Sequence, residues 1–223
     1  MSTEAPALSK DQYTHARALG AATLHEAAGR IGSLPSGIQP LSPTLPVSGP
    51  AFPVVVPPGD NLWLHHAITA AEPGDVLVVS TGGVREFGYW GEVMAVAAVA
   101  RGIAGLVIDG GVRDAAQMVA LGFPVFAERR CIRGTVKDPR KVGSLGAPLT
   151  IGDVQIERGD LIVGDADGVV AIPGSRAADV IALGAEREAA EAEYFARLRA
   201  GETTLGIYSL PTPEQLRGAP VGH

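Results

Sequence analysis

The chain carries one cysteine, Cys131, in 223 residues. That excludes an intrachain disulfide and any cysteine-rich zinc site. Charged residues make up only 19% of the sequence, and the net charge is −6. No basic stripe is visible, which argues against nucleic acid as a partner. Arg129, Arg130 and Arg133 do sit close together, so a local cationic pocket remains open. No apolar run reaches membrane-spanning length, because Arg101 and Gly102 interrupt the longest one, and no membrane partner is expected. The opening residues MSTEAPALSKDQ are polar and lack a secretory apolar region. A Walker A loop, a dinucleotide fingerprint and Ser-His-Asp spacing are missing too. With 46% apolar residues, the expectation is a soluble, cytoplasmic, globular protein with one good-sized core.

Residues 88–114, GYWGEVMAVAAVARGIAGLVIDGGVRD, carry the most information. A glycine-bounded turn opens a helix at Gly91-Glu92. An apolar strand, Gly105–Asp109, follows and is expected to end in a tight loop, Gly110-Gly111-Val112, presenting Arg113 and Asp114. Strand ends with polar glycine loops are where α/β proteins place chemistry. The free N–H groups of Gly91, Glu92, Val93 and Met94 would form an anion cradle at a helix start. A guanidinium beside a carboxylate adds an anion clamp and a hard-metal ligand. These parts suit a small oxyacid bound with a divalent metal. An Arg-Asp dipeptide elsewhere is more often a surface ion pair at a helix start, so the reading requires that both loops meet in space.

The rest of the chain gives the frame. Residues 9–30 read as one helix. Residues 31–58, rich in Pro, Gly and Ser, read as loops with a short strand at Val54–Val56. Asp60 can cap a helix from Asn61 to Ala71. Val76–Val79 is a strand, Thr81–Tyr89 a loop, and Ala115–Leu121 a short helix ended by Gly122. From Pro124 the character is β, with runs at Val125-Phe126, Cys131–Val136, Leu149–Ile156, Leu161–Val163 and Val169–Ile172. Residues 175–200 form a long Ala/Glu/Arg helix. The expected fold class is α/β, a single domain over 1–223 with its core at 9–173 and a protruding C-terminal helix and tail at 174–223.

Other candidates are weaker. Asn61 and His65 share a helix face that could edge a substrate site. His66 lies on another face. Thr135 and Lys137 alternate on an expected strand and would point the same way, fit to hold a carboxylate. Cys131 reads as buried filler. Glu186, Glu188, Glu191 and Glu193 read as the solvated face of the last helix.

The stretches PPGDNLWLHHAI (57–68), GYWGE (88–92), ARGIAGLVIDGGVRD (100–114), FPVF (123–126), RGTVK (133–137) and GDLIVGDADGVVAIP (159–173) occur in an order that resembles the RraA-like family. The resemblance is nearest to its 4-hydroxy-4-methyl-2-oxoglutarate and 4-carboxy-4-hydroxy-2-oxoadipate aldolases. It implies a β/β/α core of the swivelling-domain kind, a homotrimer or homohexamer, and a divalent metal, Mg²⁺ or Mn²⁺. Carried over by position, Asp114 would ligate the metal and Glu92 would hold a metal-bound water. Arg113 would face the keto oxygen of an oxo-acid substrate, and the N–H groups of Gly91 to Met94 would take its carboxylate. Thr135 and Lys137 would line the site. Glu191 would reach the site of an adjacent subunit. The chain departs from those aldolases in three places. Glu92 stands where several have Asp, Asp138–Ala147 is about two residues longer, and Phe195 replaces a basic residue. The rival expectation within the family is a non-catalytic binder that regulates ribonuclease activity.

Overall fold

Val76–Ser80 and Gly105–Val112 are apolar at almost every position, the pattern of strands covered on both faces. In the structure, a computed structural model describing residues 8–218, both are inner strands of a nine-stranded mixed sheet. The polar start (1–7) and the end of the expected tail (219–223) lie outside the described residues.

In chain order the elements are α1 (Lys10–Leu19), α2 (Ala21–Ala27), β1 (Gln39–Pro40), β2 (Val47–Val55), α3 (Leu62–Ala70), β3 (Val76–Ser80), β4 (Gly88–Trp90), α4 (Glu92–Ala100), β5 (Gly105–Val112), α5 (Ala115–Leu121) and β6 (Val125–Arg130). There follow β7 (Ser144–Leu145), β8 (Leu149–Ile151), β9 (Val154–Ile156), β10 (Leu161–Gly164), β11 (Val169–Ile172), α6 (Gly174–Arg199), α7 (Thr204–Ile207) and α8 (Pro213–Gly218). Two compact units result, one ending at Gly184 and the other starting at Ala185.

In the first unit the main sheet runs β1-β6-β5-β3-β2-β10-β11, with β4 beside β5 and β7 beside β2. Strands β2, β3, β5 and β6 are mutually parallel; β1, β10 and β11 join antiparallel. Alternate side chains leave opposite faces. Leu77, Val79, Leu106 and Ile108 pack beneath α3, α4 and α5 against Leu64, Met94, Ala98 and Met118. Val76, Val78, Val107 and Phe126 face the other way, onto Leu149, Ile151 and Ile156 of the separate β8–β9 hairpin. Hairpin, sheet and helices stack as the expected β/β/α layers, and a long helix, α6, comes near the end of the chain. In the second unit Tyr194 and Tyr208 meet edge to face at 5.6 Å, and Arg197 pairs with Glu202. Among the described residues no helix is long and apolar enough to cross a membrane.

Four sequence expectations need correction. The first helix breaks at Gly20 (φ 83°), and Asp165 Oδ2 accepts the Ala21 N–H across the fold at 2.7 Å. The proline-rich stretch holds a nine-residue strand, β2, despite Pro50 and Pro53. Its pairing with β10 ends at Pro50 and that with β7 starts at Val54. Between them that edge has no strand partner, so the N–H missing at Pro53 removes no ladder bond there. Gly110, Gly111 and Val112 are not a loop but the end of β5, paired with β4. A Cβ on Gly111 would overlap the Phe87 carbonyl, so this glycine permits close approach and not a turn. Finally, Cys131–Val136 is not a strand: only Val136 makes an isolated bridge, to Asp60. Thr135 and Lys137 therefore do not share a strand face.

Candidate functional site at the ends of β4 and β5

Chain direction in β4 and β5 is the same, so both end on one side of the sheet, where each feeds a helix. Arg113 N–H donates to the Trp90 carbonyl at 2.9 Å, which locks the two ends together. Asp114 then adopts a left-handed backbone (φ 56°), a costly conformation for a side-chain-bearing residue. Its Oδ2 accepts the Glu92 N–H at 3.1 Å, so the carboxylate caps α4 from a neighbouring loop. Arg113 Nε lies 3.7 Å from the same oxygen, and both side chains stay partly open to solvent. Gly91 makes this closeness possible. A Cβ there would overlap Asp114 Oδ2 and come within 3.1 Å of Arg113 Cγ. The two loops that the sequence reading needed to meet do meet, over Gly91.

The cradle is narrower than expected. Of the four N–H groups, that of Glu92 goes to Asp114 and that of Met94 turns back to the Gly91 carbonyl at 3.1 Å. Among the described residues those of Gly91 and Val93 have no acceptor. The Glu92 and Val93 side chains are exposed, and Met94 is buried.

On the other flank, Asn61 is buried and donates from Nδ2 to the Tyr89 carbonyl at 3.0 Å, with Met94 Sδ at 3.6 Å. Its Oδ1 is buried and has no hydrogen-bond partner among the described residues. The Asn61 N–H donates to the Val136 carbonyl at 3.1 Å, which brings Thr135 and Lys137 beside α3. His65 follows on α3, half-buried, its Nε2 buried and unpartnered. Burial first, then the Lys137 and His66 charges, hold its pKa below the usual imidazole value. Tyr89 supports the floor: its hydroxyl accepts the Gly59 N–H at 2.9 Å and donates to the Val84 carbonyl at 2.6 Å.

The first unit thus places Asn61, Gly91, Glu92, Val93, Met94, Arg113 and Asp114 around the start of α4, with His65 on α3 and Thr135 and Lys137 beside it. Glu191 is in the second unit, where Arg187 pairs with it at 3.0 Å one turn away on the same helix. His66 is exposed and Cys131 is half-buried. Two cavities in the first unit, about 460 and 390 Å³, include none of these residues. Sequence reasoning missed Tyr89, hidden in an expected loop, and the loop pairs Arg85–Glu128 and Glu86–Arg129. Long-range pairs of that kind leave no spacing signal.

Fold and strand-end site together define a β/β/α protein with an arginine–carboxylate pair set over a helix start. The family model described as RraA-like, Aldolase/RraA, matches residues 16–171, and the chain belongs to that family. A protein of Halalkalibacterium halodurans, provisionally named 4-hydroxy-4-methyl-2-oxoglutarate aldolase, is 36% identical over 80% of this chain and 84% of its own. A solved protein from Pseudomonas syringae pv. tomato, of uncharacterized function, superposes with a TM-score of 0.80 at 29% identity, covering 91% of this chain and 95% of that one. RraAS2 of Streptomyces coelicolor, described as an unusual member of the RNase ES inhibitor RraA family, gives 0.70 at 28% identity, covering 86% and 98%.

Proposed function

We propose that the protein is a divalent-metal-dependent pyruvate aldolase. It cleaves a 4-hydroxy-2-oxo dicarboxylic or tricarboxylic acid, of the 4-hydroxy-4-methyl-2-oxoglutarate or 4-carboxy-4-hydroxy-2-oxoadipate kind. The observation that carries this reading is the meeting of Arg113 and Asp114 over Gly91. A pure binding protein has no need of a guanidinium and a strained carboxylate held over free backbone donors.

The donor set fits a hard cation. Asp114 Oδ2 is engaged by the Glu92 N–H, Oδ1 accepts no hydrogen bond among the described residues, and Glu92 is the adjacent carboxylate. Among the described residues no group of three or more His, Cys, Asp or Glu gathers to hold a metal. One carboxylate with a second nearby suits Mg²⁺ or Mn²⁺, which keeps most of its waters at such sites. Asp114 would ligate it and Glu92 would bind one of its waters; when bound, it would polarise the keto oxygen as a Lewis acid.

The chain's own groups do the rest. The N–H groups of Gly91 and Val93 receive the substrate carboxylate. Arg113 faces the keto oxygen. A water polarised by Glu92 or Glu191 takes the proton of the C4 hydroxyl. The C3–C4 bond breaks, C4 leaves as a carbonyl, and the electron pair becomes an enolate whose oxygen charge Arg113 stabilises. Protonation at C3 gives pyruvate. Loss of CO₂ from oxaloacetate yields the same enolate, so decarboxylation is expected as a side activity. Asn61, His65, Thr135 and Lys137 line the distal end of the substrate.

In this reading residues 1–223 act as one domain, with the core at 9–173, in a cytoplasmic homotrimer or homohexamer. The face of α4 beside the site supports assembly: Val93 is 79% exposed, and Val96 and Val99 continue the stripe. A second copy covering that stripe would wall the site and supply Glu191. A pyruvate-release assay on 4-hydroxy-2-oxo diacids tests the proposal. Release that stops on exhaustive EDTA treatment and returns with Mg²⁺ or Mn²⁺ is expected. No release from any such acid, alongside tight binding to a ribonuclease, would favour the regulator instead.

A further inference from the structure

We infer that Asp60 is a positioning residue of this site: its carboxylate fixes the Thr135–Lys137 segment against Asn61 and His65. The inference rests on the aldolase reading for what the site does, but not for the geometry.

Asp60 is fully buried, and among the described residues it has no ion-pair partner. Its two oxygens serve different segments. Oδ1, one residue ahead of the N-cap Asn61, accepts the Leu62 N–H at 2.8 Å and so holds the first turn of α3. Oδ2 accepts the Asp138 N–H at 2.6 Å, far along the chain. Two backbone bonds flank this tie, from Asn61 N–H to the Val136 carbonyl and from Val136 N–H to the Gly59 carbonyl at 2.9 Å. Thr135 and Lys137 stand on either side of Val136 and have no strand of their own to hold them.

A cap alone does not require Asp. Asn, Ser and Thr serve as well, because a cap needs one acceptor. Only a carboxylate offers acceptors on both oxygens and no donor. An amide at this place keeps the cap through its oxygen but turns an NH₂ toward the Asp138 N–H, donor against donor. The identity of residue 60 therefore matters to the loop that carries Lys137 and not to the helix. A buried polar group left facing a donor is expensive, so the segment would move away.

Asp60→Asn tests this in the full-length protein. His65 reports on Lys137, whose charge helps depress its pKa. With Lys137 displaced, the His65 titration midpoint, followed by NMR of the imidazole Cε1–H signals, should rise as far as it does in Lys137→Gln. KM for the 4-hydroxy-2-oxo acid should rise about tenfold or more with kcat held within about threefold, the mark of lost binding shared by ground and transition states. Asp138→Ala keeps its backbone N–H and should leave the midpoint in place. Asp60→Ser retains a cap with less bulk and should repeat the shift if the amide variant folds poorly. A folded Asp60→Asn or Asp60→Ser protein whose midpoint stays at the wild-type value, while Lys137→Gln moves it, would reduce Asp60 to a helix cap. A Lys137→Gln midpoint equal to wild type would overturn the inference as well. Absence of pyruvate release in the wild type would defeat the aldolase reading alone, since the titration needs no turnover.

Discussion

Gly91→Ala asks the most of the proposed site with the smallest change. Gly91 has φ −158°, extended backbone that any residue adopts, so alanine adds no backbone strain. The whole effect must come from the methyl group. That methyl would overlap Asp114 Oδ2 and lie 3.1 Å from Arg113 Cγ and 3.3 Å from Nε. Arg113 is half exposed and can swing away; Asp114 is held by its left-handed backbone and must rotate its carboxylate off the Glu92 N–H. Losing that cap costs about 0.5–2 kcal/mol. For a chain of this size the melting temperature then falls by roughly 1–8 °C. Activity falls much further, because a displaced carboxylate and guanidinium no longer meet at the reacting end of the substrate. Losing one preorganised donor already costs on the order of 10²-fold or more in kcat. The assay is coupled pyruvate release at saturating Mg²⁺, with circular dichroism melting beside it. A variant that melts within that window yet keeps kcat within about twofold of wild type would refute the geometric argument.

Arg113→Lys keeps the charge and loses the planar fork, so kcat should drop on the order of 10²-fold with the fold intact; near-normal turnover would make Arg113 structural. If Glu191 serves a neighbour's site, Arg113→Ala and Glu191→Ala should each be inactive, and refolding the two together should recover activity in mixed oligomers. An active Glu191→Ala homo-oligomer, or an inactive verified mixture, would remove Glu191 from the site. His65 has a folded-state pKa below its unfolded value near 6.5, so its neutral form is the one the fold favours. Its contribution is present above that value and is lost as pH falls from about 6.5 toward the folded pKa. Urea unfolding at pH 5 and pH 8 should therefore show a smaller pH difference in His65→Asn than in wild type; equal differences would contradict the shift.

The strand–helix rhythm from Val76 to Leu121 was legible because its signals are local. Ala115–Leu121 came out with its observed ends, and Gly122 closes it in a left-handed turn. What failed was decided elsewhere in the chain. Pro53 reads as a strand breaker, and only the change of β2's partners beyond Pro50 leaves its missing N–H harmless. Gly110 and Gly111 read as a turn, because nothing nearby announces that Phe87 and Thr81 press against them. Arg113, Asp114 and Gly91 stand out in the sequence because each sits at an element boundary. From the sequence Asp60 reads as a cap and no more, since its second bond joins residues far apart in the chain. Lys137 comes beside α3 through the backbone bonds of its segment to Gly59 and Asn61, not through a strand.

The pairing of β2 also sets the order in which the protein can assemble. Val47 lies opposite Gly164 and Pro50 opposite Leu161, while the far half of the same strand pairs with β3. During synthesis β3 arrives soon after β2, but β10 leaves the ribosome roughly 100 residues later, a delay of about 5–20 s at ordinary elongation rates. Throughout that interval Val47–Pro50 is an open strand edge on a half-built sheet. Distant pairing of this kind slows folding and prolongs exposure to wrong partners. Crowded overexpression should therefore punish this chain in its N-terminal third, and slower translation before residue 160 would lengthen the danger.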